Sequence, residues 1–160
     1  MDDPRIVYVV HQYEPQEGYT HQEPPPRNSY PGRFDLDYDG QPDAFDRQRL
    51  DALLAPVDDF QSATGAPVTV DEYGAFRWLP GAAAFLDDQI ALFEARGLNH
   101  AIWEWSPSWP PFAQEVHDFN YRYGADLTGR APVKGNPLMA VLQKYWARNT
   151  LRPSNFYQQP

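Results

Sequence analysis

The sequence predicts an α/β fold of three parallel βα units with long loops after the strands. Three short, β-rich apolar runs, Ile6–Val10, Val68–Val70 and His100–Trp105, alternate with stretches whose apolar residues recur at helical spacing. Such alternation implies a parallel sheet built from right-handed crossovers, its strands buried on both faces. Each run also closes on polar or aromatic side chains. The C-terminal ends of the strands are where such sheets carry ligands and chemistry.

The first run opens after Pro4 and closes on His11, Gln12 and Tyr13. His11 and Tyr13 stand two apart, so both side chains leave on one side, where they can bond a substrate hydroxyl or hold a neighbouring carboxylate. A buried, hydrogen-bonded histidine is the plainer alternative. Residues 14–42 then show little periodicity and are rich in Pro, Gly, Tyr and Asp. A connection of that length in a compact domain reads as a functional loop. It contains His21, which on its own reads as an ordinary exposed histidine. A helix is expected from Asp43 as N-cap, with Leu50, Leu53, Leu54, Val57 and Phe60 on one face and a break at Pro56. Gly65 and Pro67 end it.

The central run, P-V-T-V-D-E-Y-G-A from Pro67 to Ala75, organises the chain. Val68 and Val70 bracket Thr69, and Asp71 and Glu72 follow side by side before Gly74 turns the chain away. Carboxylates are poor strand formers, so a pair closing an apolar strand marks Glu72 as a candidate active-site group. Acids simply kept wet at a strand end are the alternative. After Pro80-Gly81, the residues Ala82, Phe85, Leu86, Ile90 and Phe93 define a second helix, which Arg96-Gly97-Leu98 ends as a glycine cap. In the third run, alternation sends Trp103 and Trp105 to the face opposite Glu104. A second long loop carries Trp109, Phe119, Tyr121 and Tyr123. Asn136-Pro137 opens a third helix through Leu138, Val141, Leu142 and Tyr145, ending near Arg148. Three parallel strands do not close a barrel, and they leave two unpaired edges.

Composition narrows the function. The 160 residues suffice for one domain with a real core. A net charge of -9, from 22 acidic and 13 basic residues, argues against nucleic acid or an anionic membrane surface as a partner. With no cysteine there is no disulfide framework, thiolate chemistry or zinc-thiolate site, and the 4 histidines lack close ligand spacing. No metal and no cofactor are expected. No stretch reads as a signal peptide or membrane span. The excess lies in 17 prolines with 9 Phe, 5 Trp and 10 Tyr. Proline-shaped loops bearing aromatic rings suit a sugar-binding cleft, because the apolar face of a pyranose stacks on them.

Three strings taken together sharpen that hint. H-Q-Y-E-P-Q-E-G-Y-T-H-Q at His11–Gln22, V-D-E-Y-G-A-F-R at Val70–Arg77 and A-I-W-E-W at Ala101–Trp105 resemble glycoside hydrolase family 5. The likeness is to its cellulase-like endoglucanases, read in order across strands six, seven and eight. The stretch from Asp118 to Trp146 is similar to the family's final loop and helix. The resemblance implies a partial TIM (β/α)8 barrel, with residues 1–148 the C-terminal portion of a catalytic domain and 149–160 a tail. It implies a retaining β-glycosidase acting on a β-linked oligo- or polysaccharide, with neither metal nor cofactor. Glu72 matches the nucleophile, and His11 and Tyr13 match the strand-six pair whose tyrosine bonds that nucleophile. His21 matches a substrate-contacting histidine, and Trp103 the tryptophan platform of strand eight. Asp71 departs from the small residue common before the nucleophile, and Tyr73 replaces the usual Phe.

The family's acid/base lies in an Asn-Glu pair on strand four, and the chain has no Asn-Glu dipeptide. Retaining glycosidases need two carboxyls about 5–5.5 Å apart, one to attack and one to protonate the leaving oxygen. Glu104, on the face opposite the tryptophans, is a poor substitute. The resemblance therefore implies a fragment lacking the acid/base strand. Two alternatives stand beside it. One is a non-catalytic carbohydrate-binding pseudoenzyme; the other is a split-barrel subunit that needs a missing N-terminal half or self-association through its open edges. Relatives with this activity are commonly secreted, and the chain itself does not fix where it resides.

Overall fold

The structure is a computed structural model, and it describes residues 6–104 and 113–149. Trp105, Trp109 and nearly all of the expected tail lie outside the described residues. In chain order the elements are β1 (Tyr8–Gln12), a π-helical turn (Gln16–Thr20), β2 (Gly32–Phe34), β3 (Asp43–Phe45), α1 (Arg47–Leu53) and α2 (Ala55–Thr64). There follow β4 (Val68–Tyr73), α3 (Ala82–Ala95), β5 (Asn99–His100), α4 (Ala113–Phe119), a 3-10 turn (Tyr121–Tyr123) and α5 (Pro137–Trp146). β1, β4 and β5 form a parallel sheet in that order, and β2 pairs antiparallel with β3. The described residues thus form an arc of parallel βα units, and among them no closed barrel is present.

The central strand lies where the sequence puts it. Val68, Val70 and Tyr73 are buried beneath α3, whose Phe85, Leu86, Ile90 and Phe93 fill the core. Among the described residues the other face is left open. Val7 and Val9 remain 55% and 49% exposed, so the expectation of strands buried on both faces holds for one face only. A short arc cannot curl far enough to shield its own concave side. β5 is also shorter than the apolar run suggests. Only Asn99 and His100 pair with β4; beyond them single bonds from Ala101 N to Val70 O (2.8 Å) and from Trp103 N to Tyr73 O (2.9 Å) keep the chain alongside.

Helix ends follow local chemistry. Asp46, not Asp43, caps α1, its carboxylate accepting from Arg49 N at 3.1 Å. Asp43 belongs to β3 and accepts from Leu36 N, so the hairpin claims it first. The break expected at Pro56 falls at Leu54, with the proline in the first turn of α2, where its missing N–H costs nothing. At the end of α3, Leu98 N donates to Phe93 O and Gly97 N to Glu94 O, with Gly97 at φ 65°, a Schellman cap. Asn136 accepts from Leu138 N at 2.9 Å and opens α5.

The long connection after β1 is held by packing rather than by regular structure. Tyr19, Tyr30 and Phe45 insert against Phe85 and Phe34 packs on Phe45, with ring centroids 5.1 to 6.3 Å apart along the cluster. The Tyr19 hydroxyl donates to Pro80 O, and the Tyr30 hydroxyl to Asp88, which also pairs with Arg47. Among the described residues, no helix is long and apolar enough to cross a membrane.

Candidate active site

The site begins with an irregularity. β1 and β4 pair residue for residue from Tyr8–Val68 to Val10–Val70, then the register shifts so that His11 faces Glu72. This slip brings β1's polar end opposite the carboxylate that closes β4. The Tyr13 hydroxyl donates to Glu72 Oε2 at 3.1 Å, and His11 Nδ1 lies 3.5 Å from the same oxygen. His11 Nε2 stands 3.1 Å from Asp71 Oδ1, so one imidazole bridges the two acids. A third of the Glu72 side chain remains exposed, enough to keep the carboxylate accessible while two groups hold it.

His21 is not the ordinary exposed histidine that it suggests in isolation. It is half-buried among Tyr13, Phe76 and Phe119, with centroids 5.1, 5.1 and 5.4 Å away. Burial pushes its pKa below the usual imidazole value, because the charged ring would lose hydration there. Trp103 reaches the same end of the sheet through its backbone bond to Tyr73, and its peptide with Glu104 is cis. Glu104 is buried beside Ile102, Asn120 and Tyr121. The structure thus gathers His11, Tyr13, His21 and Glu72 at one strand end, with Trp103 along its margin.

Two residues that carry this geometry escape a reading of the sequence. Tyr121 is buried, and its oxygen lies 3.2 Å from Ala75 N and 3.1 Å from both Ala75 O and Trp103 O. Burial pushes its phenol far above the usual value, so it stays a neutral donor and acceptor. It clamps the residues after Glu72 to Trp103 so closely that a Cβ on Gly74 would meet Tyr121 Oη at 2.6 Å and Trp103 O at 2.7 Å. Arg77, wholly buried, donates to the carbonyls of His117 (2.6 Å), Gly124 (2.7 Å), Asp126 (2.5 Å), Leu127 (3.1 Å) and Gly129 (3.1 Å). That fork pins the loop carrying Phe119 against His21. Nothing in the F-R-W string announces an interior arginine.

Elsewhere, Asp35, Asp37 and Asp39 bring carboxylate oxygens within 4.8 Å of one another at the β2–β3 turn. Those carboxylates accept from the backbone amides of Asp39, Gly40 and Gln41 and so close the exposed turn on their own.

No family model matches the chain, and no curated protein matches it. Solved structures do. A hyperthermophilic endo-β-1,4-glucanase in complex with substrate superposes with TM-score 0.57 at 17% identity, over 88% of this chain and 40% of that one. A GH5-4 broad-specificity endoglucanase from Clostridium longisporum gives 0.56 at 15% identity, over 92% and 38%. A glycoside hydrolase 5 lichenase from Caldicellulosiruptor sp. F32, in complex with cellotetraose, gives 0.54 at 19% identity, over 89% and 35%. The chain spans well under half the length of each. At these identities the likeness shows the fold alone: the arc of parallel βα units superposes on part of the barrel of these solved glycoside hydrolases.

Proposed function

We propose that the chain is the C-terminal portion, strands six to eight, of a retaining β-glycosidase of cellulase type, with Glu72 as its nucleophile. One observation carries the reading: His11 and Tyr13 both address Glu72 Oε2 at the C-terminal end of a parallel sheet, at 3.5 and 3.1 Å. Holding that oxygen leaves Oε1 to attack an anomeric carbon. The new C–O ester bond forms as the glycosidic bond breaks, and the leaving oxygen must then take a proton. His21 and Trp103 flank the sugar, a β-linked glucan unit or a related glycan. The chain supplies no second carboxyl matched to the family's acid, so general acid catalysis, typically about 10²–10⁴-fold, is missing from it alone.

A leaving group that is stable as an anion removes that need. Full-length chain incubated with 2,4-dinitrophenyl β-cellobioside should release dinitrophenolate in one burst and gain one cellobiosyl mass on Glu72, seen by intact-mass and peptide mass spectrometry. Glu72→Gln should gain none. A folded wild-type chain that forms no adduct would overturn the nucleophile assignment. Hydrolysis of soluble β-1,4-glucan that vanishes in Glu72→Gln would instead mean that the chain completes its own site. A non-catalytic sugar-binding role predicts that binding survives Glu72→Gln with no adduct in either protein. The exposed face of Val7 and Val9 favours one further reading, a subunit whose missing strands come from a partner chain.

A further inference from the structure

Beside the nucleophile lies a second built-in constraint, at Thr20. This residue is fully buried, and its hydroxyl sits between two groups, Tyr13 O at 2.5 Å and His21 Nδ1 at 2.9 Å. Its own carbonyl accepts from Phe76 N at 2.8 Å, so it also ties the first loop to the segment after Glu72. A hydroxyl carries one proton. A carbonyl oxygen can only accept, so at 2.5 Å the Thr20 proton must point to Tyr13 O. At the other contact the hydroxyl oxygen is therefore the acceptor, and His21 Nδ1 must bring the hydrogen.

We propose that Thr20 is a positioning residue: its hydroxyl fixes His21 in the Nδ1–H form and turns Nε2 into a hydrogen-bond acceptor for a hydroxyl of a neutral sugar. The aromatic walls from Tyr13, Phe76 and Phe119 offer the ring no counter-charge, which favours the neutral imidazole that this arrangement needs. A bare Nε2 welcomes O–H donors and repels a carboxylate. The site therefore selects hydroxyl-bearing neutral glycans over chains of uronic acid. The identity of the donor as a sugar rests on the glycosidase reading above, whereas the tautomer does not.

Long-range ¹H–¹⁵N spectra of the ¹⁵N-labelled full chain near neutral pH read the tautomer directly. The wild-type His21 ring should show hydrogen on Nδ1, the form that free imidazole populates less. Thr20→Val, close in shape but without the hydroxyl, should move the ring towards Nε2–H, and Thr20→Ser should restore Nδ1–H. Cellotetraose should shift the His21 Nε2 signal in the wild type, and Thr20→Val should bind it on the order of tenfold more weakly. An Nε2–H ring in the wild type, or a folded Thr20→Val with unchanged ring signals, would overturn the proposal. Should Thr20→Val fail to fold, the wild type and Thr20→Ser decide alone. An Nδ1–H ring with no residue shifted by cellotetraose upholds the positioning role and counts against the glycosidase reading.

Discussion

Replacing Arg77 by lysine keeps the charge and the approximate length but removes the fork. The guanidinium reaches five backbone carbonyls between His117 and Gly129, and no solvent reaches it. An ammonium offers three donors from a single nitrogen, so at least two carbonyls lose their partner. Each unsatisfied buried acceptor costs about 1–3 kcal/mol, which brackets the loss at about 2–6 kcal/mol. Leu127 lies near the surface, so water can serve the outermost carbonyls and the lower end, about 2–3 kcal/mol, is expected. For a chain of this size that lowers Tm by about 4–12 °C. Urea unfolding followed by tryptophan fluorescence measures the first quantity, and calorimetry the second. The Phe119 resonances should shift as well, because the pinned loop sets that ring against His21 and Tyr13. A loss below about 0.5 kcal/mol with Phe119 unmoved would refute the pinning role.

Gly81→Ala and Gly97→Ala separate clash from conformation. A Cβ on Gly81 would lie 1.7 Å from Tyr30 O at φ +85°, whereas one on Gly97, at φ +65°, meets nothing within 4 Å. Thermal unfolding should show a loss of about 3 kcal/mol or more for the first and about 1–2 kcal/mol for the second; equal losses would mean that the loop moves aside at no cost. The depressed pKa of His21 makes a pH prediction. Below the ordinary imidazole value of 6.5 the unfolded chain binds the proton that the folded ring refuses, so this contribution to stability falls with falling pH until the folded pKa is reached. His21→Gln should flatten that part of the stability profile between about pH 7 and 5, and an unchanged slope would show that the ring titrates freely.

Much of the architecture was readable because it is written in local chemistry. Gly97, Asn136-Pro137 and Pro56 each force or forbid a backbone state within one turn, and each acts at or within two residues of its expected place. The order of the three strands and the placing of Glu72 at the end of β4 followed from an apolar run that stops at two acids. Three-residue strands leave no such trace, and the β2–β3 hairpin hid among prolines and aspartates. Its pairing takes Asp43, which leaves Asp46 to cap α1. The apolar stretch to Trp105 advertised a longer strand than β4 can pair with, since pairing needs a neighbour and hydropathy does not report one. Arg77 and Tyr121 act through contacts up to 52 residues away in sequence, Thr20 reaches farther still, to Phe76, and their types alone are ordinary. His21 gained its enclosure from rings on three separate segments.

The aromatic anchoring of the long first loop has an evolutionary consequence. Tyr19, Tyr30, Phe34 and Phe45 carry its attachment to α3, while the turn from Asp35 to Pro42 is exposed and largely satisfies its own amides. Changes in length or composition there leave the anchors, and hence the Tyr13–Glu72 contact, undisturbed. The rim is thus decoupled from the floor of the candidate site, and the turn can change in length and sequence while the Glu72 carboxylate stays in register.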